Sequence, residues 1–326
     1  MIRAVLAATL LTLLGGCGTP SFLITPVQNA YTLEEHTVAP GHGFRSGKIA
    51  LIEVEGMLLN MKTGGFMQPT ENDLSRFTQE LDLAANDQDV KAVVLRVNSP
   101  GGTVTASDVM YESLKRFKAK THKPVVASLQ DVAASGAYYV SCAADRIVAH
   151  PTSVVGSIGV IFNTFNIAGT LDKIGAKSEA IKSGPLKDMG SPFKDLDPQA
   201  RSVMQGMVDE YYARFVQIVL SNRPIAKDSQ TVKMVTDGRV FSGTKAAELG
   251  LVDRTGLLDD AIDEAKSLAK APGAKVVMYR RPYGYTGSIY AQNAVPQPQA
   301  NVMQLKIPGL NDRLPSGFYY VWEPGL

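Results

Sequence analysis

The sequence predicts an α/β fold built on a buried parallel sheet, and two features of its hydrophobic pattern indicate this. Short apolar runs rich in Val, Ile and Leu alternate with segments whose apolar residues recur at helical spacing. Continuous apolar runs are typical of strands covered on both faces, and close alternation of strands and helices is typical of successive βαβ units. Because ligands of such folds bind beyond the carboxyl ends of the strands, the segments that follow the strands are candidate functional regions.

The first half of the chain supplies most of this pattern. Strands are predicted at 48–58, at 90–102 and in KPVVASL (123–129), and helices at 71–87, in SDVMYESLKRFKA (107–119) and after Ser135. The second strand ends in a Pro-Gly-Gly turn within NSPGG (98–102), and the third leads into QDVAAS (130–135). Both segments therefore fall at the edge of the sheet where a ligand is expected.

The second half is predicted to continue the alternation, with a strand at 156–162, a helix at 167–175 and a strand at 177–184. A long helix is expected over 197–222, with Asp197 as its N-cap and Pro198 in its first turn. Its apolar residues spread around more than one face. The helix therefore either packs against a second chain or is buried on both sides within the core.

The N-terminal residues have the pattern of an export signal. Arg3 precedes an apolar stretch that ends at Leu14, which is too short for a membrane span of ~20 residues but typical of a signal peptide. The sequence Leu-Gly-Gly-Cys that ends at Cys17 resembles the bacterial lipobox, which implies removal of residues 1–16 and a lipid on Cys17. An ordinary secretory signal with an incidental cysteine is the alternative.

Composition limits the partners, cofactors and disulfides that the sequence predicts. The formal net charge is +2 without a basic run, so no nucleic-acid partner is expected. The four histidines lack metal-ligand spacing, so no metal is expected. The sequence implies no other cofactor. If Cys17 carries a lipid, Cys142 has no partner for an intrachain disulfide. Residues 17–47 are expected to form a polar tether, and 272–326 an irregular tail whose aromatic end docks on the body or at the membrane interface.

Ser135, set among small residues, is either a helix cap or a nucleophile. A serine nucleophile needs a base and donors for the oxyanion, and the amides of Gly136 and of the SPGG turn could be those donors. No histidine follows His150, so the triad of an α/β-hydrolase is not expected. Lysine can replace histidine as the base. The candidates downstream are Lys173, Lys177, Lys182, Lys187 and Lys194, of which Lys187 lies in a stretch interrupted by Gly and Pro.

Five segments taken together resemble the signal peptide peptidase A family of serine peptidases, in its short, single-copy bacterial form. They are VVLRVNSPGG, AASGAYYVSCAADRIVA, GSIGVI, IKSGPLKD and DGRVFSGTKAAELGLVDRTG, and the similarity runs from about residue 48 to 270. The resemblance implies a Ser/Lys dyad with Ser135 as nucleophile and Lys187 as general base. It also implies that Gly102 is an oxyanion donor and that Ser157 positions the lysine and the deacylating water. Ala137 departs from the family pattern, in which a second glycine is frequent.

The resemblance further implies the fold and the assembly. The family has a Clp protease/crotonase-like spiral of βαβ units, which places the peptidase domain at 48–271. Its short members form rings in which neighbouring subunits supply the serine and the lysine, and such a ring would give the long helix a partner. Because a free lysine has a pKa of ~10.4, a lysine base must be desolvated. We therefore expect an apolar environment for Lys187 in the assembly, with no carboxylate against its amine.

The sequence thus predicts a hydrolase, a serine endopeptidase of the bacterial cell envelope. It would be lipid-anchored to a membrane, with the peptidase domain outside the cytoplasm, and by family resemblance it would cleave remnants of signal peptides. Two alternatives remain. A crotonase-like acyl-CoA enzyme would use carboxylates for acid/base chemistry, and a non-catalytic lipoprotein scaffold would tolerate Ser135→Ala.

Overall fold

The computed structural model describes residues 32–43, 46–63, 71–281, 289 and 317–322, so Cys17 and the predicted signal peptide lie outside the described residues. The strands are β1 (Glu34–Ala39), β2 (Lys48–Leu58), β3 (Lys62–Thr63), β4 (Glu71–Asn72), β5 (Val90–Thr103), β6 (Val125–Ala134), β7 (Arg146–Ala149), β8 (Val154–Gly156), β9 (Ile161–Asn163), β10 (Val240–Ser242), β11 (Arg254–Thr255), β12 (Lys275–Arg280) and β13 (Gly317–Val321). The helices are α1 (Asp73–Asn86), α2 (Val104–Thr121), α3 (Gly136–Ser141), α4 (Ala168–Lys173), α5 (Pro198–Asn222), α6 (Ser229–Thr236), α7 (Gly243–Glu248) and α8 (Leu258–Leu268).

The main sheet has the strand order β1-β12-β2-β5-β6-β7-β11. From β12 to β11 neighbouring strands run parallel, and β1 is antiparallel at the edge. The far ends of the two central strands take other partners: the end of β6 pairs with β8, and the end of β5 pairs with β13. The sheet therefore opens into a second layer of short strands beyond the carboxyl ends of β5 and β6.

Both faces of the central strands are buried, as the apolar runs predicted. In β5, Leu95 and Val97 face the cluster that includes α1 and α2, whereas Val94 faces the cluster formed with α8. This alternation follows from the period of two in a strand. Burial on both faces holds the ends of β5 and β6 in fixed positions.

The helix boundaries follow from capping residues. Asn72 accepts a hydrogen bond from the Ser75 amide (3.0 Å) at the start of α1, and Asp197 accepts one from Ala200 (2.8 Å) at the start of α5. The predictions for 71–87 and for 197–222 are thus confirmed, including Asp197 as N-cap. In the single chain Phe215 is buried near the end of α5, whereas Val203 in its first half is 38% exposed.

Three sequence predictions of secondary structure were wrong in part. Residues 177–184, expected as a strand, form neither strand nor helix, since Ile181 is fully exposed and supplies no buried face. The expected strand at 156–162 is broken into β8 and β9, because Ser157 has a φ of 51° that ends the extended backbone.

The third correction concerns both ends of the predicted peptidase domain. β1 lies within the expected tether and β12 within the expected irregular tail, yet they pair with each other and extend the sheet beside β2. Their pairing joins segments more than 200 residues apart, so local composition could not indicate it. None of the helices in the described ranges is long and apolar enough to cross a membrane.

The role of β5 as the central strand can be tested at Leu95, which is 0% exposed. Leu95→Ala should lower the free energy of unfolding by about 2–5 kcal/mol, because it removes buried methyl groups and leaves a cavity. Urea unfolding followed by circular dichroism measures the loss. Leu83→Ala on α1, where the leucine is 38% exposed, is the matched control and should cost less than about 1 kcal/mol. Equal losses would contradict the placement of Leu95 in the core.

Candidate active site

Ser135 lies at the turn between β6 and α3 and has an unusual backbone conformation, with φ 54° and ψ −118°. Its amide donates to the Gly156 carbonyl (2.7 Å), and its carbonyl accepts from the Tyr139 amide (2.9 Å). A positive φ is costly for a residue with a Cβ. The turn is therefore held by its neighbours on both sides.

The Ser135 hydroxyl has no structural use in the described residues. The residue is only 1% exposed, its Oγ atom has no hydrogen-bond partner, and it does not cap α3. The helix-cap interpretation of Ser135 is therefore wrong. A buried hydroxyl without a partner costs about 1–3 kcal/mol, and such costs are typical of groups retained for function.

Two glycine amides lie beside this serine. A Cβ atom added to Gly136 would lie 3.2 Å from the Gly102 amide nitrogen, and one added to Gly101 would lie 2.7 Å from the Gly136 amide nitrogen. At Gly102 itself, an added Cβ would lie 2.0 Å from the Leu58 carbonyl oxygen. The structure thus brings Ser135, Gly102 and Gly136 together, and the packing excludes a side chain at either glycine.

Two further serines support this turn, and sequence reasoning missed them. Ser99 Oγ donates to the Gly56 carbonyl (2.6 Å) and accepts from the Gly101 amide (3.1 Å), which fixes the path of the chain into the glycine pair. Ser107 Oγ donates to the Thr103 carbonyl (3.0 Å) and would lie 2.3 Å from a Cβ on Gly136. Isolated serines carry no sequence signal for such supporting contacts.

Ser157 follows the glycine whose carbonyl binds the Ser135 amide, so the two serines lie on adjoining segments. Its φ is 51°, its amide donates to the Arg239 carbonyl (2.8 Å), and its side chain is nearly buried. The turn at Ser157 redirects the chain from β8 toward β9, and this places β9 beside β13.

Lys187 lies apart from this group in the single chain. It is exposed in the turns of 183–190, where its amide donates to the Gly184 carbonyl (3.2 Å). The ion pairs of this loop converge on Asp188, which binds Lys182 (2.8 Å) and Lys194 (2.7 Å). Hydrogen bonds from these two lysines lower the pKa of the Asp188 carboxyl to about 2. Asp188 therefore shapes the loop, and the expected burial of Lys187 concerns the assembly rather than the single chain.

Hydrogen bonds among residues of α2, α3 and α5 support the turn at Ser135. The Tyr139 hydroxyl donates to Asp108 (2.5 Å), and Asp108 also accepts two hydrogen bonds from the Arg214 guanidinium (3.0 and 2.7 Å). Burial, followed by the hydrogen bond to Asp108, raises the pKa of Tyr139. The Asp108 carboxylate thus accepts three hydrogen bonds at its Oδ1 atom from Arg214 and Tyr139, so it serves as a structural acceptor.

Known proteins match most of the length of this chain. Residues 117–272 match Peptidase family S49, and residues 51–155 match the Clp protease family. The Enterococcus faecium protein named "Putative signal peptide peptidase SppA" is 35% identical over 249 residues, which cover 76% of this chain and 70% of that one. Protease 4 of Salmonella typhi is 36% identical over 69% of this chain and 35% of its own length. The chloroplastic serine protease SPPA of Arabidopsis thaliana is 34% identical over 71% of this chain and 34% of its own length.

These matches confirm the predicted Clp-like α/β fold and the predicted family. A strained serine set beside two glycine amides suits attack on a carbonyl group. The chain is a serine-type peptidase and belongs to the SppA family of peptidase family S49.

Proposed function

We propose that this protein is an endopeptidase in which Ser135 and Lys187 form a Ser/Lys dyad. The observation that carries the proposal is the Ser135 hydroxyl, which is buried and unpartnered at a strained turn beside the amides of Gly102 and Gly136. A serine so placed is free to give its proton to a base, and two amides are positioned for the negative charge that forms on attack.

The proposed reaction has two stages. Ser135 Oγ attacks the carbonyl carbon of the peptide bond and gives its proton to the neutral Lys187 amine, while the Gly102 and Gly136 amides bind the oxyanion. The C–N bond then breaks, the leaving nitrogen takes the proton from Lys187, and an ester to Ser135 remains. Water positioned by Ser157 attacks the ester and gives a proton to Lys187. The ester bond breaks, and Ser135 Oγ regains that proton.

The base is proposed to come from a neighbouring subunit. Lys187 is exposed in the single chain, whereas a lysine base has to be desolvated. The first half of α5 is also partly open, with Val203 exposed and Met204, Met207 and Val208 only half-buried. A ring of identical chains that covers this surface would bury Lys187 and bring it to a neighbour's Ser135.

The cellular setting is proposed from the N-terminal sequence. A lipid on Cys17 would hold the protein at a membrane of the bacterial envelope, with the peptidase domain outside the cytoplasm. The substrates would be extended peptides, with signal-peptide remnants as the proposed class. The name of the Enterococcus faecium relative supports that class.

The dyad can be tested with a fluorophosphonate probe and an internally quenched peptide. Ser135→Ala should abolish labelling, and both Ser135→Ala and Lys187→Ala should lower kcat by about 10⁴-fold or more, since nucleophile and base act as a unit. Lys177→Ala, a neighbouring exposed lysine, is the matched control and should keep full activity. Labelling that survives Ser135→Ala, or equal activity of the Lys187 and Lys177 variants, would refute the dyad.

The oxyanion donors can be tested at Gly102. Gly102→Ala should lower kcat by about a hundredfold or more, because the new methyl group would meet the Leu58 backbone and displace the amide. Gly169→Ala on α4, where an added Cβ meets no atom within 4 Å, should leave kcat unchanged. Thermal unfolding of both variants separates a displaced donor from a loss of fold. Unchanged kcat in a folded Gly102→Ala variant would count against this site.

The anchor can be tested with the two cysteines of the chain. Cys17→Ser should abolish incorporation of an alkyne-tagged fatty acid and release the protein from washed membranes. Cys142→Ala should change neither, because Cys142 is buried and its burial raises the thiol pKa to about 12. Lipid incorporation that persists in Cys17→Ser would rule out lipidation at this position.

A further inference from the structure

The loop that carries Lys187 is organised around one carboxylate. Residues 182–195, here called the lysine loop, form turns without strand or helix, and Asp188 lies half-buried at their middle. Lys182 Nζ donates to both Asp188 oxygens (2.8 and 2.9 Å), and Lys194 Nζ donates to Oδ1 (2.7 Å). Asp188 therefore binds one lysine from each end of the loop. These three side chains are called the clamp below.

The lysine loop is also fastened to the segment that leads into α4. The Ile167 amide donates to the Pro192 carbonyl (2.7 Å), and Asn166 Nδ2 donates to Asp195 (2.5 Å). These contacts fix the second end of the loop. The clamp connects that end, through Lys194, to the middle of the loop, where Lys187 lies.

The clamp also determines the charges beside the Lys187 amine. Consecutive Cα atoms lie about 3.8 Å apart, so the Asp188 carboxylate cannot lie far beyond the ~10 Å over which charges act in salt solution. An unpaired carboxylate there would favour the charged form of the lysine and raise the pKa of its amine. Because two ammonium groups bind this one carboxylate, the clamp carries a net positive charge. A net positive charge favours the neutral amine that a general base requires.

The charge state of Asp188 is constant over the pH range of a peptidase assay. Hydrogen bonds from Lys182 and Lys194 lower the pKa of the Asp188 carboxyl to about 2, and the bond to Asp188 raises the pKa of Lys194. The stabilisation from a lowered carboxyl pKa is present above the free value of ~3.9 and is lost only as the pH falls toward 2. Changes of activity near neutral pH therefore report groups other than Asp188.

Other charged groups lie on the elements around the lysine loop. Those on α4, on the segment after it, at the end of the loop and at the start of α5 are Asp172, Lys173, Lys177, Glu179, Asp195, Asp197 and Arg201. The Asp197 carboxylate accepts from the Ala200 amide (2.8 Å) and lies 4.0 Å from Lys194. Beside Ser157, the Arg239 guanidinium pairs with Asp237 (2.6 Å). The charges of the clamp can therefore be changed while these groups stay in place.

We propose that Asp188 is a positioning residue for the general base: it fixes the loop that presents Lys187, and two lysines cancel its charge so that the Lys187 amine can be neutral. This inference rests on the proposed function, since it concerns the lysine of the proposed dyad. It gives Lys182 and Lys194 a role in the reaction that requires no contact with the substrate.

The first test follows the rate constant of fluorophosphonate labelling at Ser135 as a function of pH, since its acid limb reports the pKa of the base in the free enzyme. Lys182→Gln and Lys194→Gln each remove one positive charge and should move this limb to higher pH by about half a unit. Lys194→Arg keeps the charge and the donor and should leave the limb in place.

The matched control is Lys177→Gln, which removes the same charge from an exposed lysine outside the clamp. Its acid limb should move clearly less than those of the two clamp variants. An unmoved limb in both Lys182→Gln and Lys194→Gln, or an equal shift in Lys177→Gln, would overturn the proposal.

The second test separates charge from position. The double variant Lys182→Gln/Lys194→Gln leaves Asp188 without its two partners, so its acid limb should rise by about one unit or more. Adding Asp188→Asn removes the carboxylate and should return the limb toward its original position. The maximal labelling rate of this triple variant should stay at least about tenfold low, because the loop is no longer fixed. A loss of rate without these opposite shifts would show that Asp188 only holds the loop, which contradicts the proposal.

Light scattering and thermal unfolding of the full-length variants identify any that fail to assemble or to fold. If the triple variant fails, the comparison of Lys182→Gln with Lys177→Gln decides, since Lys182→Gln keeps the Lys194 contact. If Lys187→Ala is labelled as fast as the unmodified protein, the proposed dyad itself is wrong. If labelling requires Lys187 but the clamp variants keep the original pH profile, the dyad stands and the role of Asp188 is wrong.

Discussion

The candidate site depends on a close approach of backbone segments that only glycine permits. The end of β5 passes so near β2 that a Cβ on Gly102 would lie 2.0 Å from the Leu58 carbonyl oxygen, and a Cβ on Gly136 would lie 2.3 Å from Ser107 Oγ. Because no side chain intervenes, two amides come within reach of one hydroxyl. Catalysis of acyl transfer requires such donors to be in place before charge develops, so the packing of the sheet determines the chemistry.

This arrangement at Ser135 costs folding free energy, and contacts elsewhere in the fold offset that cost. Ser135 has a positive φ and a buried, unpartnered hydroxyl, each of which opposes folding by about 1–3 kcal/mol. The strands that lead into the turn are the central ones, buried on both faces. Tyr138 donates to the Leu251 carbonyl (2.7 Å) directly after the turn. The strain is therefore held by long-range contacts rather than by the local sequence.

The difference between local sequence signals and long-range contacts explains which features the sequence could predict. The central strands and helices have local signals, namely apolar runs, helical periodicity and a cap at Asp197, and they were predicted with small errors at their ends. The pairing of β1 with β12 joins distant segments, so no local pattern indicated it, and the aromatic end of the tail suggested docking but not its pairing with β5. Ser135 and Gly136 could be proposed because small residues cluster around them, and the family resemblance singled out Gly102 within the SPGG turn. The proposed burial of Lys187 requires a neighbouring chain, which one sequence cannot place.

The same glycines also explain why a strand of this chain can lie at the site. Peptide binding by strand addition needs an open edge and a backbone free of side chains at the point of contact, and Gly101 and Gly102 supply both. An edge with these properties accepts any extended segment that also satisfies its pockets, including one from its own C-terminal region. The close approach of the two amides and the pairing of β13 with β5 therefore have one structural cause, the absence of side chains at the end of β5.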